Sequence, residues 1–420
     1  MANTAAASAR RRKAPTKSRR DQLLDEAARQ LNARGVSLTS LTDVADMLGV
    51  SRAALYYYVD DREDLVFQVY RRSCEIMARR LGEAARSGRP AMRVIQDFVT
   101  ATLDPDEPEI AALSEIGLLR SAERETVLAL YEGVVARLAG VLETGARAGE
   151  IRPCDFEIVA RTIISMIYWI PLAGRWTVAV EGVDRAKLVA LLNDVIENGF
   201  AADRREIIQQ PSMDLSPLLV RTLDAFDREA LSEAKRETIL VTASRLFNRK
   251  GVDTTSLDEI AAELGATKRT LYHYIGDKQA IISECYARAF RIYLYIQEQS
   301  RAIAGRRTVA WAVSTRASAV AQQRDDLSPL RPMVGFDALT PEDQAAVSNR
   351  SCAMTEASIE LFEQGQSEGS IRNVNIDLMM LILPGASSWL AKGLIAADAA
   401  RQGEIGDEIS DVLRIGLGAL

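Results

Sequence analysis

The 420-residue chain contains one histidine, four cysteines and 12 prolines, and only 6% of it is aromatic. Each shortage excludes something. A Ser-His or Cys-His nucleophile needs an imidazole in a pocket, and His273 falls in a segment expected to be a surface helix. Cys74, Cys154, Cys285 and Cys352 are scattered, without CxxC or disulfide spacing. That usage indicates a reducing compartment and no cysteine-held metal. No P-loop, dinucleotide glycine fingerprint or HExxH is present, so no cofactor, metal or catalytic residue is expected. Carboxylate pairs such as Asp60-Asp61 and Asp325-Asp326 leave a carboxylate-only hydrolase as the residual enzyme reading, although helix capping explains the first pair. Long apolar runs are missing as well. TIISMIYWIPLAG (162–174) and LMMLILPGASSWLA (378–391) fall short of the ~18 residues of a membrane span and read as buried helices. The basic N-terminus has no apolar run behind it and is not a secretory signal. A cytoplasmic protein without a membrane partner is expected.

What is present is an ordinary globular composition, 48% hydrophobic and 26% charged, in a chain too long for one core. Its net charge of −6 is unevenly spread. Residues 1–58 hold ten Lys/Arg against five Asp/Glu, and residues 235–278 hold eight against six. An acidic body with two basic heads is compatible with a polyanion partner, because only the contact face must be positive.

The two basic heads repeat one another. Residues 20–70 align without a gap on 236–286 with 18 of 51 positions identical, among them Gly35/Gly251, Gly49/Gly265, Tyr56/Tyr272 and Tyr58/Tyr274. A weaker echo pairs GARAGEIRP (145–153) with GQSEGSIRN (365–373), and Trp169 with Trp389. A period this long makes the unit a domain, not a solenoid repeat. Few Gly or Pro interrupt the long segments and no stretch alternates apolar with polar, so the fold class is all-α.

Within the first head, Leu23, Leu24, Ala27 and Leu31 mark one helical face ended by Gly35. Leu41, Val44, Ala45 and Leu48 mark a second, short helix. Ser40 with Asp43, and Ser256 with Glu259, read as capping boxes. Gly49 and Gly265 suit a turn, and Ser51 or Thr267 caps a third helix carrying the aromatic run LYYY or LYHY. The pattern is a helix-turn-helix. Its tyrosines and helix-start hydroxyls suit phosphates. Arg52, Lys268 and Arg269 are placed to reach base edges or phosphates. The plainer alternative makes the tyrosines half-buried packing residues and the charges a solvated face.

Both segments resemble the DNA-binding domain of the TetR family of bacterial transcriptional regulators. The matching residues are Gly49, Ser51, Leu55, Tyr56, Tyr58, Arg62 and Leu65, then Gly265, Thr267, Leu271, Tyr272, Tyr274, Lys278 and Ile281. Val59 and Ile275 stand where the family usually has Phe, and Arg62 where it has Lys. The resemblance implies two units, each a three-helix head followed by a helical effector-binding and dimerisation bundle. The expected map is a basic arm over 1–18, a first head over 19–64, a first bundle over 65–202, a linker over 203–234, a second head over 235–280 and a second bundle over 281–420. LLVRTLDAFDREAL within the linker has helical spacing. Residues 155–176 with 184–200, and 375–397 with 405–418, would build a four-helix interface.

On this reading the DNA contacts are Ser40, Ser51, Arg52, Ala53, Tyr56, Tyr57 and Arg62 in the first head. In the second they are Ser256, Thr267, Lys268, Arg269, Thr270, Tyr272, His273 and Lys278. Arg10 to Lys13, Lys17, Arg19 and Arg20 form an arm that tracks a groove or is simply a soluble tail. The partners are a double-stranded operator and a small hydrophobic or aromatic effector. Candidate effector contacts are Phe98, Leu113, Met166, Tyr168 and Trp169, then Trp311, Phe336, Met354, Met379 and Trp389, with plain core as the competing role for each. Pro171 and Pro384 are expected to open space beside the tryptophans. The expected activity is repression with ligand-driven release, by an intramolecular pseudo-dimer or by a homodimer with four heads. A helical interaction scaffold with degenerate heads is the alternative outside DNA binding.

Overall fold

The computed structural model describes residues 18–36, 38–176, 183–208, 212–219, 227–395 and 397–420. These residues form sixteen α-helices in two runs of eight, with no strand among them. The first run is α1 (Arg19–Arg34), α2 (Leu41–Leu48), α3 (Arg52–Leu55), α4 (Arg62–Ala85), α5 (Ala91–Leu103), α6 (Ser121–Arg147), α7 (Phe156–Trp176) and α8 (Arg185–Asn198). The second is α9 (Arg228–Lys250), α10 (Leu257–Glu263), α11 (Lys268–Tyr274), α12 (Lys278–Arg301), α13 (Arg307–Gln323), α14 (Pro341–Ser367), α15 (Ile376–Ser387) and α16 (Ala399–Arg414).

Several boundaries differ from those expected. The helix that opens the second head starts at Arg228 rather than at 235. Asp227 caps it by accepting from Ala230 N at 2.9 Å, and no Gly or Pro interrupts the chain before Gly251. The rest of the linker's helical stretch, residues 220–226, lies outside the described residues, as does the arm over 1–17. The seventh helix of the second half stops at Ser387, not at 397: Pro384 sits in its last turn and a left-handed Gly393 comes after it. The last helix starts at Ala399, ahead of 405, on an Asp398 cap. In the first half, α7 (Phe156–Trp176) agrees with the expected 155–176. It is the one described helix long and apolar enough to cross a membrane, and 83% of that apolar window is buried inside the fold.

Helix α6 of its own half and two helices of the other half bury it. Helices α7 and α8 pack against α15 and α16 in a four-helix arrangement. The crossing of α7 with α15 is close because Gly385 has no side chain: a Cβ there would lie 2.7 Å from Trp169 Cβ and 3.0 Å from Met166 Cα. Ser165 Oγ donates to the Gly385 carbonyl at 2.6 Å at this point.

A second contact is reciprocal. The turn Gly149–Arg152 grips the end of the second half: Ile151 bridges Gly418, and Arg152 N donates to Leu417 O at 2.9 Å. Its repeat Gly369–Arg372 grips the end of the first: Ile371 bridges Ala201, and Arg372 N donates to Phe200 O at 2.9 Å. The weak sequence echo at 145–153 and 365–373 therefore marks a pair of exchanged contacts. The chain between the halves is partly docked, with Leu215 buried against Ile292 and Ile296.

Candidate nucleic-acid interface

Each head is three helices around buried leucines, and that packing decides which side chains face outward. In the first, Ser40 and Asp43 form the complete capping box, and Gly49 takes the left-handed conformation (φ 62°) that turns the chain into α3. In the second, Ser256 accepts from Glu259 N at 3.1 Å, while the Glu259 carboxylate is engaged by Lys250 Nζ. Ser51 accepts from Ala54 N at 3.3 Å, and Thr267 and Thr270 cap α11 reciprocally.

Leu55 and Leu271 are buried, so their neighbours turn out to solvent. Arg52, Ala53, Tyr56 and Tyr57 are exposed in the first head, and Lys268, Arg269, Tyr272 and His273 in the second. Tyr57 is 84% exposed, far more than packing would leave it, while Tyr58 is half-buried against the core. Arg52 Nη2 donates to the Tyr56 hydroxyl at 3.0 Å, with its guanidinium 5.7 Å from the ring centroid. Lys268 Nζ donates to Asp258 at 3.3 Å.

The two heads differ in one respect the repeat does not suggest. Helix α3 is a single turn ending at Leu55, and Tyr56 to Tyr58 continue in a tight turn closed by Tyr58 N on Leu55 O at 2.8 Å. In the second head the whole run to Tyr274 is helical. The Thr267–Thr270 box gives α11 a reciprocal cap where Ser51 caps alone.

Arg62 and Lys278 stand apart from these faces. Arg62 pairs with Asp253 of the other head at 3.3 Å. Lys278 is held below its ordinary range by burial, with Asp253 and Glu115 opposing. Both lie at the junction of the heads, where Glu115 is itself buried. Burial, then Asp253 and Asp337, push its carboxyl up to about 7, against Arg62 and Arg331. The loop carrying Glu115 reaches the second head: Gly117 lies so close to the Lys250 backbone that no Cβ fits. The corresponding loop of the second half puts Asp337 against Gly35 of the first head, pairing it with Arg175. Each bundle thus touches the opposite head.

The family described as bacterial regulatory proteins, tetR family, matches residues 23–69 and again 239–285, the two heads. The chain belongs to the TetR family. A tetracyclin repressor-like C-terminal domain matches residues 92–176. Among curated relatives, the transcriptional repressor KstR2 of Rhodococcus jostii is 28% identical over 186 residues, which is 42% of this chain and 90% of that protein. The probable regulator ArpR of Pseudomonas putida is 27% identical over 202 residues, 44% of this chain and 90% of its own. Of solved structures, PfmR from Thermus thermophilus is 23% identical over 42% of this chain and 97% of its own, with a TM-score of 0.38.

Among the described residues, one cavity lies inside the second bundle and another at the boundary of the two halves. The larger, about 250 Å³, is in the second half; Trp311 and Met354 line it, with Pro384. Trp176, unforeseen in the sequence, joins them from the first half, its ring 6.4 Å from Phe290. Nothing in the local sequence marks that crossing. The smaller, about 150 Å³, lies between the halves and is lined by Leu113, Arg124, Arg331 and Lys392. Lys392 Nζ donates to Leu113 O at 3.0 Å, and burial pushes its ammonium down to about 7. Of the other candidate effector contacts, Phe98, Met166, Tyr168, Trp169, Met379 and Trp389 are core residues lining neither cavity, and Phe336 is half-buried beside them. Trp169 Nε1 donates to Leu381 O of the opposite half at 3.0 Å, so it serves the crossing of α7 with α15.

Proposed function

We propose that this TetR-family chain is a cytoplasmic DNA-binding transcriptional repressor in which the two halves stand for the two subunits of a dimer, released from its operator by a small effector. The observation carrying the reading is the pair of exposed faces, Arg52, Tyr56 and Tyr57 in one head and Arg269, Tyr272 and His273 in the other, on helix-turn-helix scaffolds. Such faces suit phosphate and base-edge contacts. Because Arg52-Ala53-Ala54 and Lys268-Arg269-Thr270 differ, the half-sites are unequal. His273, the single imidazole, stands on an exposed face, and no catalytic role is assigned.

The exchanged loop contacts, Gly117 on Lys250 and Asp337 on Gly35, supply a route from bundle to head. An effector uses it only by binding one arrangement of the heads better than the other.

The test is the solution mass of the purified chain, alone and on genomic fragments it selects, with a footprint. One chain on a short asymmetric footprint, half-sites about one helical turn or slightly more apart, is the expected result. Two chains on a long palindrome would replace the pseudo-dimer with a four-headed assembly. Failure to select any fragment would favour the scaffold.

A further inference from the structure

The two halves repeat, yet their central spaces are unequal: about 250 Å³ in the second, against about 150 Å³ beside Tyr131 of the first. Helices α6 and α14 are the same length and stand in register 220 positions apart, as do the starts of α7 and α15. Around the 250 Å³ cavity the second half supplies Ser351, Thr355 and Ser358 from α14, with Ser388 just after α15. At the corresponding places the first half has Tyr131, Val135, Leu138 and Tyr168. All four are buried, and the Tyr168 hydroxyl lies 3.7 Å from Cys74 Sγ, where the second half has Phe290. Larger side chains narrow in the first half the volume that is open in the second, and the 150 Å³ that remains beside Tyr131 is lined by Arg124, Arg331 and Lys392.

We infer that the chain has a single site for an uncharged aromatic effector bearing an O–H or N–H donor, in the second half, and that the first half completes this site with Trp176 while its own space is narrowed and lined by charged groups. The inference rests on the effector-responsive reading above. The chemistry comes from the lining. None of the residues lining the cavity is charged, so a ligand charge would be buried without a partner, at a cost of several kcal/mol. Trp176, Tyr286, Phe290 and Trp311 form an aromatic wall. On the α14 side the three hydroxyl protons are already used: Ser351 Oγ donates to Trp176 O at 3.3 Å, Thr355 Oγ1 to Ser351 O at 3.0 Å and Ser358 Oγ to Met354 O at 3.1 Å. A hydroxyl that donates keeps acceptor lone pairs, and these call for a donor on the ligand. Trp176 ends α7 of the first half, so the site exists only where the halves meet.

The test is a titration of the full chain, without DNA, by N-phenyl-1-naphthylamine, a neutral aromatic amine. The contrast probe is 8-anilinonaphthalene-1-sulfonate, a similar framework carrying a charge. We expect one amine per chain by calorimetry and at least tenfold weaker binding of the sulfonate. The double variant Ser358→Leu with Ser388→Tyr, which installs the first half's side chains, should weaken the amine at least tenfold. Trp176→Ala should do the same, and it keeps the test open if the double variant fails to melt cooperatively. Two amines per chain, no binding, equal binding of the sulfonate, or undiminished binding in folded variants would each overturn the inference. A chain that takes one amine but selects no DNA would sink the repressor reading and leave the site standing. A chain that selects DNA but takes two amines would do the reverse.

Discussion

The Arg62 guanidinium and the Asp253 carboxylate, 191 residues apart in sequence, face each other at 3.3 Å across the two heads. The family resemblance gives Arg62 a phosphate to hold; here it also ties one head to the other. Both side chains are about one-third exposed, so the pair contributes no more than about 1 kcal/mol. We expect Arg62→Ala and Asp253→Ala to change DNA affinity non-additively, with a coupling of about 0.5–1 kcal/mol in a double-mutant cycle. Simple additivity would make Arg62 a phosphate contact alone.

Arg152 is buried and donates from Nε to Gly416 O at 2.7 Å, while its Nη2 meets Glu408 at 3.2 Å. Its repeat Arg372 donates to Gly199 O at 2.6 Å and pairs with Asp194, but is more exposed. Removing Arg152 strands a carbonyl and a half-buried carboxylate. Arg152→Ala should cost about 3 kcal/mol in urea unfolding, and Arg372→Ala about 1–2 kcal/mol. Equal losses would mean that burial does not set the difference.

Glu115 gives the junction a pH dependence. Its folded pKa, about 7, lies above its ordinary value of 4.5, so between these pH values the folded chain holds more of the proton than the unfolded chain does. Its contribution to stability is present below pH 4.5 and lost as pH rises through 7. The loss is on the order of 3 kcal/mol. Glu115→Gln should remove that decline, read as the wild-type-minus-variant difference in unfolding free energy at pH 4.5 and pH 8. A difference that stays constant would show that burial, with Asp253 and Asp337 beside it, leaves the carboxyl an ordinary acid.

The exposed faces should divide phosphate from base contacts. Tyr272→Phe is expected to weaken binding to all half-site sequences alike, by about 1 kcal/mol. Arg269→Ala should change the order of preference among them, by about 1–3 kcal/mol at the base it reads. Tyr56→Phe is the less clean case, since the hydroxyl it removes accepts from Arg52. A panel of half-sites in a competition assay separates the two kinds of effect. Identical profiles would end the division of roles.

The heads are the most legible part because their structure is local. Ser40 with Asp43, Gly49 with its φ of 62°, and the spacing of Leu41, Val44 and Ala45 are all settled within a turn or two of chain. The expected spans 155–176 and 184–200 agree with α7 and α8, but the ends of α9, α15 and α16 fall elsewhere, since caps such as Asp227 and Asp398 are single residues among many candidates. Nor does a repeated motif in the heads mean equal helices, since α3 stops at Leu55 while α11 runs to Tyr274.

The sequence by itself determined the helical class, the duplication and the residues that crown each head, because periodicity, capping and turn chemistry are encoded by neighbours along the chain. Only the tertiary structure decided what each buried aromatic does. Trp169 serves a helix crossing opened by Gly385, Trp176 walls a cavity belonging to the other half, and Tyr168 takes up space that Ser388 leaves open. Those roles depend on volumes contributed by residues more than a hundred positions away, and no pattern along one stretch of sequence states how such volumes fit together.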